Sequence, residues 1–459
     1  MAIARISQLE AFLHRGGTHT NAEIGLGLGA SQPTVSRALA ELGDRIVRIG
    51  RGRASRYALV RDIGRAGHEW PLYRIDTAGR AEHLGQLSAL HREGFHLATS
   101  LPLPVFTHGE FALGMFPGLP WFLDDQRPQG FLGRAFAQRV AADIGAPADL
   151  QRWQADDVLL GLLLHGHDLP GNLVLGEPAL QRALQQTLSL DGTLQVSERE
   201  HRYPEQADAA LRGEFAGSSA GGEQPKLLAA LREADGVRDV IVKFSERRSA
   251  PAGVRWSDLL HCEHIAAAVL RAHGQPAARV ELLEADGRVF LESTRFDRTP
   301  QRGRHGFVSL AALDAAFHGH GRIDWWRYAV QLQREGWIDA YSARRLRVLG
   351  WFGVLIGNSD MHLGNAGLML TDGRPLALAP AYDMLPMMFR PASTGEVIER
   401  EFTITLPTPE QQSDWSEAAA AALAFWDAVV ASAEVSESFR VIAARAREML
   451  SRSTRQFGN

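Results

Sequence analysis

Lysine is nearly absent from this chain: of 49 basic residues only Lys226 and Lys243 are lysines. Arginine fills almost every position that needs only positive charge, so the two exceptions ask for a reason. Lysine is a compact point charge on a slim stem and arginine a wide planar fork, so a crowded phosphate site accepts the first and rejects the second. Chance is the competing account. Cysteine is scarcer still. Cys262 stands alone, which excludes an internal disulfide and a cysteine-based zinc cluster and fits a reducing compartment. No run of about 18 apolar residues is present to span a bilayer, and the opening MAIARISQLEAFLHR lacks the apolar core of a secretory signal. A soluble, cytoplasmic protein with no membrane partner is the expectation.

Low-complexity tracts are also missing. With 45% hydrophobic and 22% charged residues the composition is that of a folded protein. Its 459 residues exceed what one core organises, so several folding units are expected. The net charge of −4 hides an asymmetry: residues 1–65 hold ten arginines against five acidic groups, which leaves −9 for the rest. The N-terminus is therefore the candidate for binding a polyanion.

Residues 1–62 read as three helices and a hairpin. Ile6 to His14 and Asn21 to Leu28 give the first two, and Ser31 caps a third that runs to Leu42 with Pro33 in its first turn. Val35, Ala38, Leu39 and Leu42 fall at helical spacing and point inward, so Gln32, Thr34, Ser36 and Arg37 face out. Two alternating runs, Ile46 to Ile49 and Arg56 to Val60, flank a glycine and arginine turn holding Arg51 and Arg53, with Arg48 and Arg56 beside it. This order matches a winged helix-turn-helix, whose third helix enters the major groove while the wing meets phosphate. DNA is the expected partner, Gln32, Thr34, Ser36, Arg37, Arg51 and Arg53 are the candidate contacts, and such modules often act as homodimers. A small helical dock for another protein is the alternative.

Residues 63–205 open on an irregular, Pro- and Gly-rich stretch (LPLPVFTHGEFALGMFPGLPWFLDDQRPQGFLGR) before Ala-rich helical segments, and read as a scaffold. His165 and His167 lack a third ligand at helical spacing, so no metal is placed there. Residues 206–300 turn to strands with glycine turns. Residues 301–459 turn to long helices, among them Trp325 to Glu335, Asp339 to Ile356 and an Ala-rich tail from Ser416 to Ser451. Sheet first and helices second predict two lobes. The fold class expected is α+β.

Three segments carry chemistry. GSSAGGEQPKLLAAL (Gly217 to Leu231) sets a small-residue turn before Lys226, able to cradle phosphate with backbone N–H groups through Ser219, Gly221 and Gly222, with a plain glycine turn between strands as the commoner account. VIVKF (Val240 to Phe244) sets Lys243 in an apolar strand, where burial is costly unless an anion meets it; Glu263 and nucleotide phosphates are the candidates, and a strand-edge lysine reaching solvent is the alternative. WFGVLIGNSDMHLGNAGLML followed by LALAPAYDMLP sets out Asp360, His362 and Asn365, then Asp383. A carboxylate and an amide five residues apart, with a second carboxylate beyond the next strand, form a layout for positioning a hydroxyl and holding Mg²⁺. A hydrogen-bonded turn is the plainer reading of the first three.

These segments resemble the HipA-like serine/threonine kinases, with DxHxxN present as Asp360, His362 and Asn365 and the metal aspartate in APAYD as Asp383. VIVKF and LESTRFDR also resemble family segments, the likeness spans about residues 70–450, and with the N-terminal module it is greatest to the YjjJ (HipH) branch. The resemblance implies a bilobal protein-kinase fold that uses ATP and Mg²⁺ to phosphorylate a serine or threonine of a cellular protein, the translation machinery included. Asp360 would be the catalytic base, Asn365 and Asp383 the metal ligands, and Lys243 a phosphate ligand. Lys226 and His362 would also contact ATP, with Thr294 and Phe296 meeting adenine through the backbone. Ser219 matches a serine that such kinases autophosphorylate, with Ser218 as its neighbour. The side chains of Arg295 and Asp297 are expected to form a structural ion pair. A transcription regulator whose kinase-like region has become a nucleotide sensor is the rival reading, opposed by the full set of polar residues at the catalytic positions.

Overall fold

The computed structural model describes residues 2–211 and 224–457, and every count below concerns those residues. The chain opens with Ala2–Leu13 (α1), His19–Thr20 (β1), Asn21–Leu28 (α2), Gln32–Leu42 (α3), Ile46–Ile49 (β2) and Arg56–Leu59 (β3). Thr20 and Glu23 form a reciprocal capping box at the start of α2, and Gly29 ends it at φ 59°. Ser31 occupies the cap position of α3, but its hydroxyl meets Thr34 Oγ1 at 2.9 Å in place of a backbone N–H. Val35, Leu39 and Leu42 turn inward onto Leu9, Leu13, Ile24 and Leu59. The hairpin is antiparallel, with β1 added beside β3. Its far side packs Ile49 and Ala58 on Leu90, and Arg61 grips Asp156 bidentately at 2.7 and 3.0 Å. The first unit is thus keyed to the next by packing and by charge.

That next unit, read from sequence as an irregular scaffold, contains a five-stranded sheet. Glu69–Ile75 (β4), Ala81–Ala89 (β5), Phe95–Thr99 (β6) and Met115–Phe116 (β7) precede Gly130–Ile144 (α4), Ala155–His165 (α5), Leu173–Leu175 (β8) and Glu177–Leu188 (α6). The strands pair antiparallel in the order β7-β6-β5-β4-β8. A register shift between Leu72 and Tyr73 breaks the period-two alternation on which a strand is recognised in sequence.

The second sheet carries the site. Leu194–Gln195 (β9) and Arg199–Leu211 (α7) lead to Lys226–Glu233 (β10), Gly236–Phe244 (β11), Pro251–Ala272 (α8), Val280–Ala285 (β12) and Arg288–Thr294 (β13), paired in the order β12-β13-β11-β10-β9. Alternation along β11 sends Val240, Val242 and Phe244 onto Tyr203, Ala207 and Ala210 of α7. Lys243 is thereby turned to the other face. Glu292 of β13 is fully buried, and Tyr203 Oη (2.9 Å), Arg199 (3.0 Å) and Arg238 (2.9 Å) all donate to it, which pins α7 to the sheet.

The rest is mostly helical: Phe307–Ser309 (β14), Leu310–Phe317 (α9), Trp325–Arg334 (α10), Ala340–Leu355 (α11), Gly367–Met369 (β15), Ala377–Leu378 (β16), Gln412–Ala431 (α12) and Glu437–Phe457 (α13). Trp325, Trp351, Trp415 and Trp426 fill its core. The Ala-rich tail is two helices where the sequence suggests one run. The break has a local cause, since the N–H and hydroxyl of Ser436 both donate to the buried Asp258 carboxylate of α8 at 2.7 Å. No helix among the described residues is long and apolar enough to cross a membrane.

A buried ion cluster joins the second sheet to the scaffold. Arg295 donates to Asp297 (2.9 Å) and to Asp168 (2.8 Å), and Arg298 to the same two carboxylates (2.8 and 3.0 Å). Burial raises the Asp297 carboxyl, but the Arg295 and Arg298 guanidiniums override it and hold it at about 2. A depressed folded pKa gives stability that is present above the unfolded value near 4 and is lost as pH falls through about 2. Asp297→Asn is expected to remove roughly 2–3 kcal/mol of that acid sensitivity, read as a flatter unfolding free energy between about pH 4 and 2 in urea titrations.

Candidate active site

The two lysines are direct cross-strand partners. The register places Lys226 at the start of β10 opposite Lys243 near the end of β11, so two cations stand where Cβ atoms lie about 5 Å apart. Like charges so placed repel unless anions divide the space between them. Lys243, 5% exposed, donates to both oxygens of Glu263 on α8 (2.6 and 2.7 Å) and also to Asp383. Burial raises the Glu263 carboxyl, whereas at Asp383 the Lys243 and Lys226 charges overcome burial and lower it. Lys243 is held protonated against its own burial by Asp383 and Glu263. The pocket thus keeps a cation and an ionised Asp383 in a place where either alone would be expelled.

The opposing loop is built from a helix end. At the end of α11, Gly357 adopts φ 75°, its N–H donates to Val354 O (3.1 Å), and Asn358 N–H donates to Gly353 O (2.8 Å). That is a Schellman cap, which requires a residue at ease with positive φ at this point. The cap delivers Asn358, 5% exposed, into the site. Its Oδ1 accepts the Asp360 N–H (3.0 Å) and its Nδ2 donates to the Asp383 carbonyl (3.1 Å). Asp383 itself sits at φ 54°, a conformation that costs a non-glycine residue energy and is kept where surroundings impose it.

Asp360 presents a half-exposed carboxylate, and His362 Nε2 lies 3.9 Å from it. His362 Nδ1 accepts the Gly364 N–H at 3.0 Å, so the exposed ring is anchored by its own loop. Asn365 Nδ2 donates to the Asp360 carbonyl (2.8 Å), which commits the amide nitrogen and leaves Oδ1 as the free donor atom. Asn365 Oδ1 and the Asp383 carboxylate are hard oxygen ligands suited to Mg²⁺, which takes few protein ligands and completes its shell with water and phosphate. Among the described residues no group of three or more His, Cys, Asp and Glu could hold a metal, and this amide and carboxylate pair needs none.

The ring of Phe296 packs on Tyr382, the neighbour of Asp383, and on Phe307 (centroids 5.7 and 5.5 Å). Its N–H donates to no backbone carbonyl among the described residues. Thr294 N–H is spent on Arg279 O (2.8 Å), and Thr294 Oγ1 is buried with no partner. Ser218, Ser219, Gly221 and Gly222 lie outside the described residues. At the N-terminus Gln32, Ser36, Arg37 and Arg51 are exposed and Thr34 is half-buried, while the Arg53 side chain also lies outside the description. Two other arginines of the hairpin are used internally, Arg48 on Ser55 Oγ (3.1 Å) and Arg56 on Thr18 and Glu23.

Sequence reading missed Asn358, although it stands two residues before Asp360. Asn358→Ala removes hydrogen bonds to a half-buried N–H and a half-buried carbonyl, at roughly 0.5–1.5 kcal/mol each. It also frees two loops that must meet within ångströms. Any turnover at this site is expected to fall on the order of 10²-fold, with the loss in kcat exceeding any change in KM in steady-state kinetics.

Residues 218–453 match the family described as the HipA-like C-terminal domain, and residues 66–184 the middle domain of YjjJ-like toxins. The toxin YjjJ of Escherichia coli K12 is 36% identical over 428 residues, 93% of this chain and 94% of that protein. A putative kinase, Y4dM of Sinorhizobium fredii, is 38% identical over 122 residues, 25% of this chain and 26% of its own. Among solved structures, HipA of Shewanella oneidensis MR-1, crystallised with HipB and operator DNA, aligns with a TM-score of 0.52 at 16% identity, covering 83% of this chain and 97% of that one. The fold is therefore a mixed α/β HipA-like fold with strand-rich and helical regions. By sequence over nearly its whole length, the chain belongs to the HipA-like toxins, in their YjjJ-like branch.

Proposed function

We propose that the chain is an ATP- and Mg²⁺-dependent serine/threonine protein kinase that carries its own DNA-binding module. One observation carries the reading: Lys243 is buried between Glu263 and Asp383, the arrangement that aligns a phosphate-binding lysine with a metal-binding carboxylate. Lys243, with Lys226 across the sheet, takes the nucleotide phosphates, and Asn365 Oδ1 and Asp383 hold the metal. Asp360 orients the incoming hydroxyl and accepts its proton. Phe296 offers its free backbone N–H to adenine beside Thr294, and His362 lies at the phosphate end. Bound Mg²⁺ and ATP supply the phosphoryl group and neutralise its charge. Ser219 is the expected site of autophosphorylation, and the protein substrate lies elsewhere in the cell.

The N-terminal unit is read as a winged helix-turn-helix. The exposed Gln32, Ser36 and Arg37 of α3 suit a major groove, with Thr34 at its rim and Arg51 and Arg53 on the wing suited to phosphate. The partner DNA would bind a homodimer on paired half-sites. The kinase reading is tested with γ-labelled ATP: transfer to this chain or to a cell-extract protein is expected, and nucleotide binding with no transfer would sink it. For the module, Arg51→Ala with Arg53→Ala is expected to weaken operator binding by about tenfold and to lower the slope of affinity against salt by about two. A mobility shift over a salt series measures both.

A further inference from the structure

A polar cavity, of about 210 Å³, lies between α6 of the scaffold and the middle of β10 and β11, around the Ala230 and Asp239 pair. Its lining includes Arg302, Arg304 and Asp239, and none of Lys243, Asp360, Asn365 or Asp383. Each of these three lining residues carries one buried polar atom without a partner: Arg304 Nη1, Arg302 Nε and Asp239 Oδ2. Arg304 is only 4% exposed. Its Nη2 donates to the His167 carbonyl at 2.5 Å, which fixes the guanidinium of this cavity-lining residue while Nη1 stays without a partner. The neighbouring arginines contrast with it, because Arg295 and Arg298 are paired with Asp168 and Asp297.

Buried guanidinium N–H groups in native proteins find acceptors, because an unpaired one loses hydration without return. We propose that this cavity is a binding site for a phosphate-class anion, with Arg302 and Arg304 donating to its oxygens and Asp239 accepting from a P–OH or an ester-borne hydroxyl. A dianionic phosphate fits both halves of the wall, since its oxygens meet two donors and its remaining hydroxyl meets the lone carboxylate. The electrostatics agree with the geometry. Burial and the nearby Arg298 pull the Arg304 guanidinium down to about 9, while burial and Asp168 push Asp239 up. A bound anion relieves the first, and a donated hydroxyl suits the second in either protonation state. The site stands apart from the kinase reading, and either can fail without the other.

The test is isothermal calorimetry of the full chain with inorganic phosphate, and separately with glycerol 3-phosphate, in chloride buffer. Both probes are expected to bind the wild type at one site. Arg302→Gln, at a half-exposed position, is expected to weaken phosphate at least tenfold, and Asp239→Asn, which removes a negative charge, to tighten it. Lys226→Met, in the other cleft, is expected to leave it unchanged. Binding lost in Lys226→Met and kept in Arg302→Gln assigns the phosphate to the kinase cleft and overturns the proposal, as does an Arg302→Gln affinity within twofold of wild type. No heat from either probe overturns it too and leaves water as the partner of these groups. If inorganic phosphate binds and glycerol 3-phosphate does not, the ligand is the free ion; tighter binding of the ester identifies a small phosphorylated metabolite.

Discussion

Asp360→Asn is expected to lower phosphoryl transfer by about 10²–10⁴-fold, the range set by loss of a positioned general base, with the fold intact. The intact fold follows from how the residue is held. Asp360 is fixed through its backbone, its N–H to Asn358 and its carbonyl to Asn365, and its carboxylate is half exposed and accepts no hydrogen bond from the described residues. An amide of the same shape keeps both backbone bonds, and surface changes of this kind stay within about 0.5 kcal/mol. What it cannot do is take a proton. Labelled-phosphate transfer measured beside thermal unfolding separates the two effects. Activity within tenfold of wild type would remove Asp360 from the role of base and leave positioning by the loop as the source of rate.

The backbone bonds that protect Asp360 also show where sequence reading stops. The DxHxxN run and the aspartate after Tyr382 were legible because each is local: a loop leaving a helix, then a strand, then a second loop. The scarcity of lysine singled out two residues that the register makes direct partners on adjacent strands. Asn358 was not legible as a bridge, because its second partner, the Asp383 carbonyl, lies 25 positions away in the chain. The same holds for Glu292, whose three donors come from α7 and β11. The sheet of residues 69–116 escaped for another reason, a register shift that erases alternation just where a strand would announce itself. The tail helix broke at Ser436 through an acceptor on α8, a contact that no capping rule applied along the chain can supply.

Lys243→Met is expected to cost roughly 3–5 kcal/mol of stability as well as catalysis, because it strands buried carboxylates without their cation. Glu263 is 4% exposed, and Lys243 is the partner of both its oxygens. Without that partner, the burial that already raises Glu263 acts unopposed by Lys243, and the carboxyl protonates in the folded state. The sign of the pH dependence follows. A carboxyl whose folded pKa exceeds its unfolded value stabilises the fold below the unfolded value near 4, and that stability drains away as pH rises toward the folded value. The variant should therefore be more stable at pH 5 than at pH 8. Adding Glu263→Gln removes the orphaned charge at nearly constant volume, so the double variant should recover at least half of the lost stability and none of the activity. Urea unfolding of the four proteins at both pH values measures the coupling. A single variant as stable as wild type at pH 8 would mean that the cation is not what keeps Glu263 and Asp383 in place.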